Sequence, residues 1–518
     1  MRFPRASGVL LHLTSLPGPH GSGDLGPAAY HFVDWLAVAG QRLWQVLPLT
    51  GIGPGNSPYM SSSAFAGNPL LVDLAELHEQ GWLTSADMAA AAATSGLAAG
   101  KVNFAAVVPM RSTMLARAAA RFAAAGTPEQ RADFEAFRTE QASWLADYAL
   151  FMALDEANDR RPWWTWNTAL ARREPAALAA ARSTHAARIA LAEFGQWRFL
   201  RQWQRLHAHA RSKGVAIVGD IPIFIAAHSA EVWARPDLFE LDASGRPPVV
   251  AGVPPDYFSA TGQRWGNPLY RWAAHAQEGY AWWIERMRRI LALVDIVRID
   301  HFRGFVAHWE IPADEPTAIN GRWVEGPGEA LFAAVSRALS PNAGGAGDDN
   351  AAATGTGPGS ALPIIAEDLG IITPDVEALR RKLGFPGMAV LHFAFGGDAS
   401  NRYLPHHHEP ALVVYGGTHD NDTTAGWWAG ASDAERSFAR GYLDTDGHDM
   451  PWTLIRCAMA SVADTCVHAM QDVLGLPSAC RMNHPGQASG WWSWRFQWSE
   501  VQHWHGERLA ELARLYGR

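Results

Sequence analysis

Val294-Asp-Ile-Val-Arg-Ile-Asp300-His-Phe-Arg-Gly304 is an apolar run that ends in a carboxylate. Side chains alternate along a strand, so Arg298 and Asp300 point to the same side, and a guanidinium there keeps the acid ionised. Outward from this stretch the same design recurs. Pro363-Ile-Ile-Ala-Glu367-Asp-Leu-Gly370 ends a second apolar run in glutamate, and Val413-Val-Tyr-Gly-Gly-Thr-His419-Asp420-Asn-Asp422 ends a third in aspartate. Gly219-Asp220-Ile-Pro-Ile-Phe224 adds a fourth acid. Each of these acids, read alone, is as well explained as the N-cap of a following helix. Four together point to a barrel, whose strand C-termini share one mouth.

The rest of the chain fits that rhythm. Strands are expected at Val9–Thr14, Trp44–Leu49, Val215–Val218, Val294–Ile299, Leu362–Ala366, Met388–Phe395 and Val413–Tyr415, with helix-length segments between them. An amphipathic helix, Ala28 to Ala39, joins the first two. From about Asp73 to Phe194 the texture turns Ala-rich and helical, without an obvious strand. A long helical pattern, with Phe194, Trp197, Leu200, Trp203 and Leu206 on one stripe, stops at Gly214, where a C′ glycine belongs. The expected fold is therefore α/β: a (β/α)₈ barrel of residues 1–74 and 196–518, with a helical insertion at 75–195 and smaller insertions beside the mouth. Pro341–Ser360 consists of Gly, Ala, Asp, Asn, Thr and Pro with hardly an exception and cannot bury enough apolar surface to offset its ordering entropy. It is expected to be a flexible surface loop.

Bulk properties narrow the chemistry. The 43 basic residues against 51 acidic ones give a net charge of −8, the wrong sign for general binding to nucleic acid or an anionic membrane. Cys457, Cys466 and Cys480 form an odd set without CxxC spacing, which suits a reducing compartment. The apolar stretch Val9–Leu13 is too short for a signal-peptide core, and a cytoplasmic enzyme is expected. The 24 tryptophans suit both core packing and flat sugar rings.

Several motifs are set aside. Gly21-Ser-Gly23-Asp-Leu-Gly26 matches GxGxxG, but it starts late after its strand, and no acid from Gln41 to Thr50 could hold a ribose. His406-His407-His408 reads as a surface turn, since neighbours on extended chain diverge and no further metal ligands sit at suitable spacing. No metal and no organic cofactor is expected.

Two carboxylates about 5 Å apart across a glycosidic bond serve a retaining enzyme as nucleophile and acid/base. At this point longer strings become decisive. Leu47-Pro-Leu-Thr-Gly-Ile-Gly-Pro-Gly-Asn-Ser-Pro-Tyr59, Val253-Pro-Pro-Asp-Tyr-Phe-Ser259, Arg264-Trp-Gly-Asn-Pro-Leu-Tyr270, Arg298 to Phe305, Ala366 to Gly370 and Thr418 to Asp422 resemble the amylomaltase (disproportionating enzyme) family of 4-α-glucanotransferases, in family order. The resemblance implies Asp300 as nucleophile, Glu367 as acid/base and Asp420 as the third acid, which stabilises the transition state. It implies Arg298, His419 and Tyr59 around the reacting sugar, and His301, Gln263, Trp265 and Asn483 at or beside the acceptor side. Asp220 matches an acid that holds the site together. Tyr257 and Phe258 sit in a Pro-stiffened loop that could cover the bound chain and shield the intermediate from water. The sequence departs from the family at Gly490-Trp491-Trp492-Ser493-Trp494-Arg495, where glycine and asparagine usually precede the Trp-x-Trp-Arg run, and Pro341–Ser360 resembles an insertion. The partners implied are maltooligosaccharides and α-1,4-glucans. An α-amylase-type hydrolase would use the same acids and differ in letting water capture the intermediate; a non-catalytic glucan binder would keep the aromatics without needing all three acids.

Overall fold

A computed structural model describes residues 3–94, 100–255, 259–339 and 362–518. Tyr257, Phe258 and Pro341–Ser360 lie outside the described residues.

Eight parallel strands make the barrel: β1 (Ala6–Leu10), β2 (Leu43–Gln45), β3 (Ala216–Pro222), β6 (Ile296–Asp300), β9 (Ile364–Ala366), β10 (Gly387–Val390), β11 (Leu412–Tyr415) and β12 (Thr465–Ala469). Their spatial order is β10-β11-β12-β1-β2-β3-β6-β9. The Ala366 N–H donates to the Pro386 carbonyl at 3.0 Å, which draws the two ends of the sheet together. Strands buried on both faces read as continuous apolar runs, and Val9, Trp44, Ile217, Val297, Ile364, Val390, Val413 and Val467 are all fully buried. Gly8 has a packing reason, because a Cβ there would stand 2.4 Å from Leu43.

The strand bounds differ from the sequence expectation in instructive ways. Rather than Val9–Thr14, β1 ends at Leu10, and the chain then turns through a 3₁₀ segment, Leu13–Ser15. Rather than Met388–Phe395, β10 stops at Val390 and gives way to the 3₁₀ turn Leu391–Phe393. In both cases the apolar run continues past the strand because the turn is itself buried beneath the barrel mouth. β12 went unread altogether: its Thr-Cys-Val-His-Ala sequence is wholly buried yet carries two polar side chains.

A second sheet, antiparallel in order β5-β4-β7-β8, comprises β4 (Val249–Val253), β5 (Gln263–Pro268), β7 (Ala307–Pro312) and β8 (Arg322–Glu325). Its strands are inserted after β3 and after β6, so it stands beside the mouth. Between Leu74 and Ser212 every described regular element is a helix. The last of these, Ala186–Ser212, runs unbroken across position 195, and Gly214 follows with φ +74°. Trp197 on this helix packs among Trp82, Phe122 and Phe134 of the helical region, whereas Trp203 donates its Nε1–H to the Leu293 carbonyl at 2.7 Å beside the barrel. One rigid element thus ties the two regions together. Five of the largest fully buried side chains are tryptophans, Trp44, Trp197, Trp203, Trp233 and Trp283, so much of the tryptophan excess is core.

The glycine decoy also resolves into packing. A Cβ on Gly23 would meet the Leu13 carbonyl oxygen at 2.0 Å, and one on Gly26 would meet Asp24 and Asp73 at 2.9 Å. Of the three histidines only His408 diverges, buried against the Ser461 hydroxyl at 2.8 Å; contrary to the expectation from extended chain, the His406 and His407 rings lie together, centroids 4.0 Å apart, because both sit on a 3₁₀ turn and meet the Ala399 carbonyl at 3.1 and 2.8 Å.

Candidate active site

The acids converge because strand register places them side by side. β3 and β6 align Asp220 with Arg298 and Pro222 with Asp300. β6 and β9 align Ile299 with Ala366, which makes Asp300 and Glu367 neighbours at the ends of adjacent strands. Adjacent strands lie about 4.8 Å apart.

Arg298 organises this wall. Its Nη1 donates to both oxygens of Asp220 at 2.8 and 2.7 Å, and its Nη2 donates to Asp300 Oδ1 at 2.8 Å. Arg298 and Asp220 are both buried, and removing one member of such a pair costs about 3–5 kcal/mol because the other charge is stranded. The Asp300 side chain keeps 28 % of its surface open to the mouth.

Glu367 is held differently. Its Oε1 accepts the Leu369 N–H at 2.7 Å and its Oε2 accepts the His301 N–H at 2.7 Å. His301 presents that N–H from a left-handed conformation, φ +59°, a strained turn of the kind functional sites retain. Burial, and next the negative Asp300, push the Glu367 carboxyl well above the usual carboxylate range. Burial also raises Asp300, but the direct ion pair with Arg298 opposes it. Glu367 has no such ion pair among the described residues, and it holds its proton to the higher pH of the two.

The opposite wall comes from β2 and β11. The turn Pro58–Met60 follows Ser57, whose hydroxyl accepts the Tyr59 N–H at 3.2 Å. The Tyr59 hydroxyl then donates to Asp220 at 2.8 Å and meets His419 Nε2 at 2.8 Å. His419 Nε2 lies 3.4 Å from Asp420, whose other oxygen accepts from Asn483 Nδ2 at 2.6 Å. On the antiparallel sheet, Trp265 packs edge-on against His301 with ring centroids 4.9 Å apart and donates to Gln263 at 3.2 Å. Every described residue singled out above thus belongs to one connected cluster, from Gln263 to Asn483.

Sequence reasoning missed three neighbours. Arg481 donates to the Asp420 carbonyl at 2.9 Å and to the Asn483 carbonyl at 2.7 Å, tying the third acid to the loop that carries Asn483. Trp492, with φ +66°, lies 5.5 Å from the Tyr59 ring and 5.9 Å from the His419 ring. His12 lies behind His419, facing the same cavity. Arg481 and His12 gave no local signal; Trp492 stood in the stretch that departs from the family pattern.

Residues 11–501 match the family described as 4-alpha-glucanotransferase. The chain belongs to the 4-alpha-glucanotransferase family. A 4-alpha-glucanotransferase from Thermus thermophilus is 48 % identical over 522 residues, covering 99 % of each chain, and one from Synechocystis is 44 % identical over 517 residues, covering 99 % of this chain and 98 % of the relative. The amylomaltase from Streptococcus agalactiae, solved in complex with acarbose, superposes with a TM-score of 0.92 at 37 % identity over 99 % of each chain. The amylomaltase from Corynebacterium glutamicum, 18 % identical with a TM-score of 0.78 over 98 % of this chain and 75 % of its own, shares the fold. This 4-alpha-glucanotransferase is thus a (β/α)₈ enzyme with its acids at the barrel mouth.

Proposed function

We propose that the enzyme transfers segments of α-1,4-glucan to the 4-hydroxyl of glucose or a maltooligosaccharide by retaining double displacement. Glu367 protonates the leaving glycosidic oxygen while Asp300 attacks the anomeric carbon; the C–O bond to the leaving chain breaks as the bond to Asp300 Oδ forms. Glu367, now ionised, takes the proton of the acceptor 4-hydroxyl, whose oxygen displaces Asp300. Asp420, with His419 and Tyr59 beside it, binds sugar hydroxyls more tightly as the ring flattens.

The observation that carries this reading is the asymmetry between two adjacent acids. Burial raises both, but Asp300, bound to a guanidinium, rises only to about 6 and is mostly ionised at neutral pH, as a nucleophile must be, whereas Glu367 is pushed up to about 8, as a general acid must be. Tyr257 and Phe258 are proposed to cover the acceptor side with Gln263 and Trp265, on the sequence argument alone. The site of action is proposed to be the cytoplasm, which the free cysteines favour; no helix among the described residues is long and apolar enough to cross a membrane.

Maltotriose as sole substrate tests the reading. Transfer yields glucose and a ladder of longer oligomers at constant total reducing ends, because each bond broken is replaced. Reducing ends that rise in step with consumption would mean that water is the acceptor.

A further inference from the structure

Behind the wall formed by Tyr59 and His419 lies a small cavity lined in part by His12, Ser15, Thr418, His419, Asp422 and Arg481. Its two histidines are each 5 % exposed. Three of their ring nitrogens, both of His12 and Nδ1 of His419, meet no hydrogen-bond partner among the described residues. A buried polar atom left without a partner costs on the order of 1–3 kcal/mol, a cost that a water in the cavity both rings face would relieve.

The hydrogen bonds on the far side of His419 fix which way its protons point. Asp220, gripped twice by Arg298, can only accept, so the phenolic proton of Tyr59 goes to Asp220 at 2.8 Å. Burial, first, and the negative Asp220, next, hold that proton on Tyr59 well above the ordinary range. The phenol oxygen is left as an acceptor for His419 Nε2 at 2.8 Å, and Nε2 must therefore carry hydrogen. In a neutral imidazole Nδ1 is then an acceptor in need of a donor. Two hydroxyls on the cavity wall are committed, Ser15 to the Trp494 carbonyl at 2.7 Å and Thr418 to Asn421 at 2.9 Å, and Arg481 spends Nε and Nη2 on the Asn483 and Asp420 carbonyls; Asn421 and Gln471 keep amide hydrogens to give, but neither is a ring with both polar atoms left unpaired. His12 follows the C-terminal end of β1 by two residues and faces this cavity with its N–H uncommitted. Burial, with His419 adding to it, pushes His12 down to about 3, so it is neutral, with one N–H to give and one nitrogen to accept.

We propose that His12 is a positioning residue for glucan transfer: its ring N–H, through one water in the cavity, holds His419 in the Nε2–H form. His12, His419 and Tyr59 then donate in turn as far as Asp220, and Arg298, which donates both to Asp220 and to Asp300, links that run to the nucleophile. In the opposite tautomer His419 Nε2 would be an acceptor. It would compete with Asp220 for the Tyr59 proton and offer Asp420, 3.4 Å away, a lone pair in place of an N–H. The roles of Asp300 and Asp420 are those of the reading above, on which the kinetic part of this inference rests; the tautomer itself does not depend on them.

Two measurements test it. In wild-type enzyme labelled with ¹⁵N-histidine, and assigned by loss of the signal in His419→Gln, the His419 ring should show a protonated Nε2 and an unprotonated Nδ1. A protonated Nδ1 would overturn the proposal whatever the acids do. His12→Leu should lower kcat roughly 10- to 100-fold with little change in KM, as expected when reacting groups are misaligned rather than removed, and should mix the His419 tautomers. His12→Gln, which restores a donor and an acceptor, should recover most of the loss and the single tautomer. Equal impairment of both variants with one unaltered tautomer, or a His12→Leu enzyme within twofold of wild type, would return His12 to core packing.

Discussion

The two walls of the barrel mouth are fastened by different means. On the β6–β9 wall, Asp300 and Glu367 are fixed by groups within or next to their own strands: Arg298 two residues earlier, and the N–H groups of His301 and Leu369. On the β11 wall, Asp420 keeps 40 % of its side chain exposed and is held by Asn483 and Arg481, some sixty residues further along the chain. On the proposed mechanism the first wall holds charge and proton in fixed places and the second grips the sugar. That difference teaches that the two acids proposed to carry the bond exchange, Asp300 and Glu367, belong to the scaffold, while Asp420 belongs to a loop.

If so, damage on the two walls should differ in size. Asp300→Asn or Glu367→Gln should reduce turnover by about 10⁴-fold or more, with circular dichroism unchanged. A folded Asp300→Asn enzyme near normal turnover would break the comparison at its base. Asp420→Asn should cost less, roughly 10²- to 10³-fold, as for loss of one group that stabilises the transition state. Asn483→Ala should cost about tenfold through misplacement of Asp420. The double variant sharpens the point: if Asn483 acts through Asp420, adding Asn483→Ala to Asp420→Asn should cost little more. Full additivity would mean that Asn483 acts on substrate by itself.

The smallest expected effect is on stability. The folded-state pKa of Glu367 is raised, so the stability it contributes is present below the ordinary glutamate range and is lost as pH rises through the raised value. Glu367→Gln, neutral at every pH, should therefore melt a few °C above wild type under alkaline conditions, with the advantage shrinking as pH falls. Over the same rise in pH the wild-type kcat/KM should decline as the acid form of Glu367 disappears. A variant no more stable than wild type in alkali would show that Glu367 is not held protonated.

The contrast between walls also decides what could be read from sequence. β6 and β9 are short apolar runs ending in an acid, so their residues announce both strand and chemistry. Asn483 was placed only through family resemblance, because its bond to Asp420 spans a separation that no periodicity records. β12 escaped notice because a five-residue strand with His468 and Thr465 in it has neither alternation nor a clean apolar run. The antiparallel sheet carrying Gln263 and Trp265 was equally unreadable: β5, Gln-Arg-Trp-Gly-Asn-Pro, is half-buried, and β4 meets it at a bulge between Val250 and Gly252.

The central claim is that Asp300 forms the covalent bond and Glu367 only moves protons. It is tested most directly in Glu367→Gln enzyme supplied with an α-maltosyl fluoride, whose leaving group needs no acid. Glycosylation should then proceed while deglycosylation, deprived of its base, stalls. The account predicts that mass spectrometry of the quenched digest finds the peptide containing Asp300 heavier by one maltosyl group. No adduct, or an adduct on the peptide containing Asp420, would contradict it.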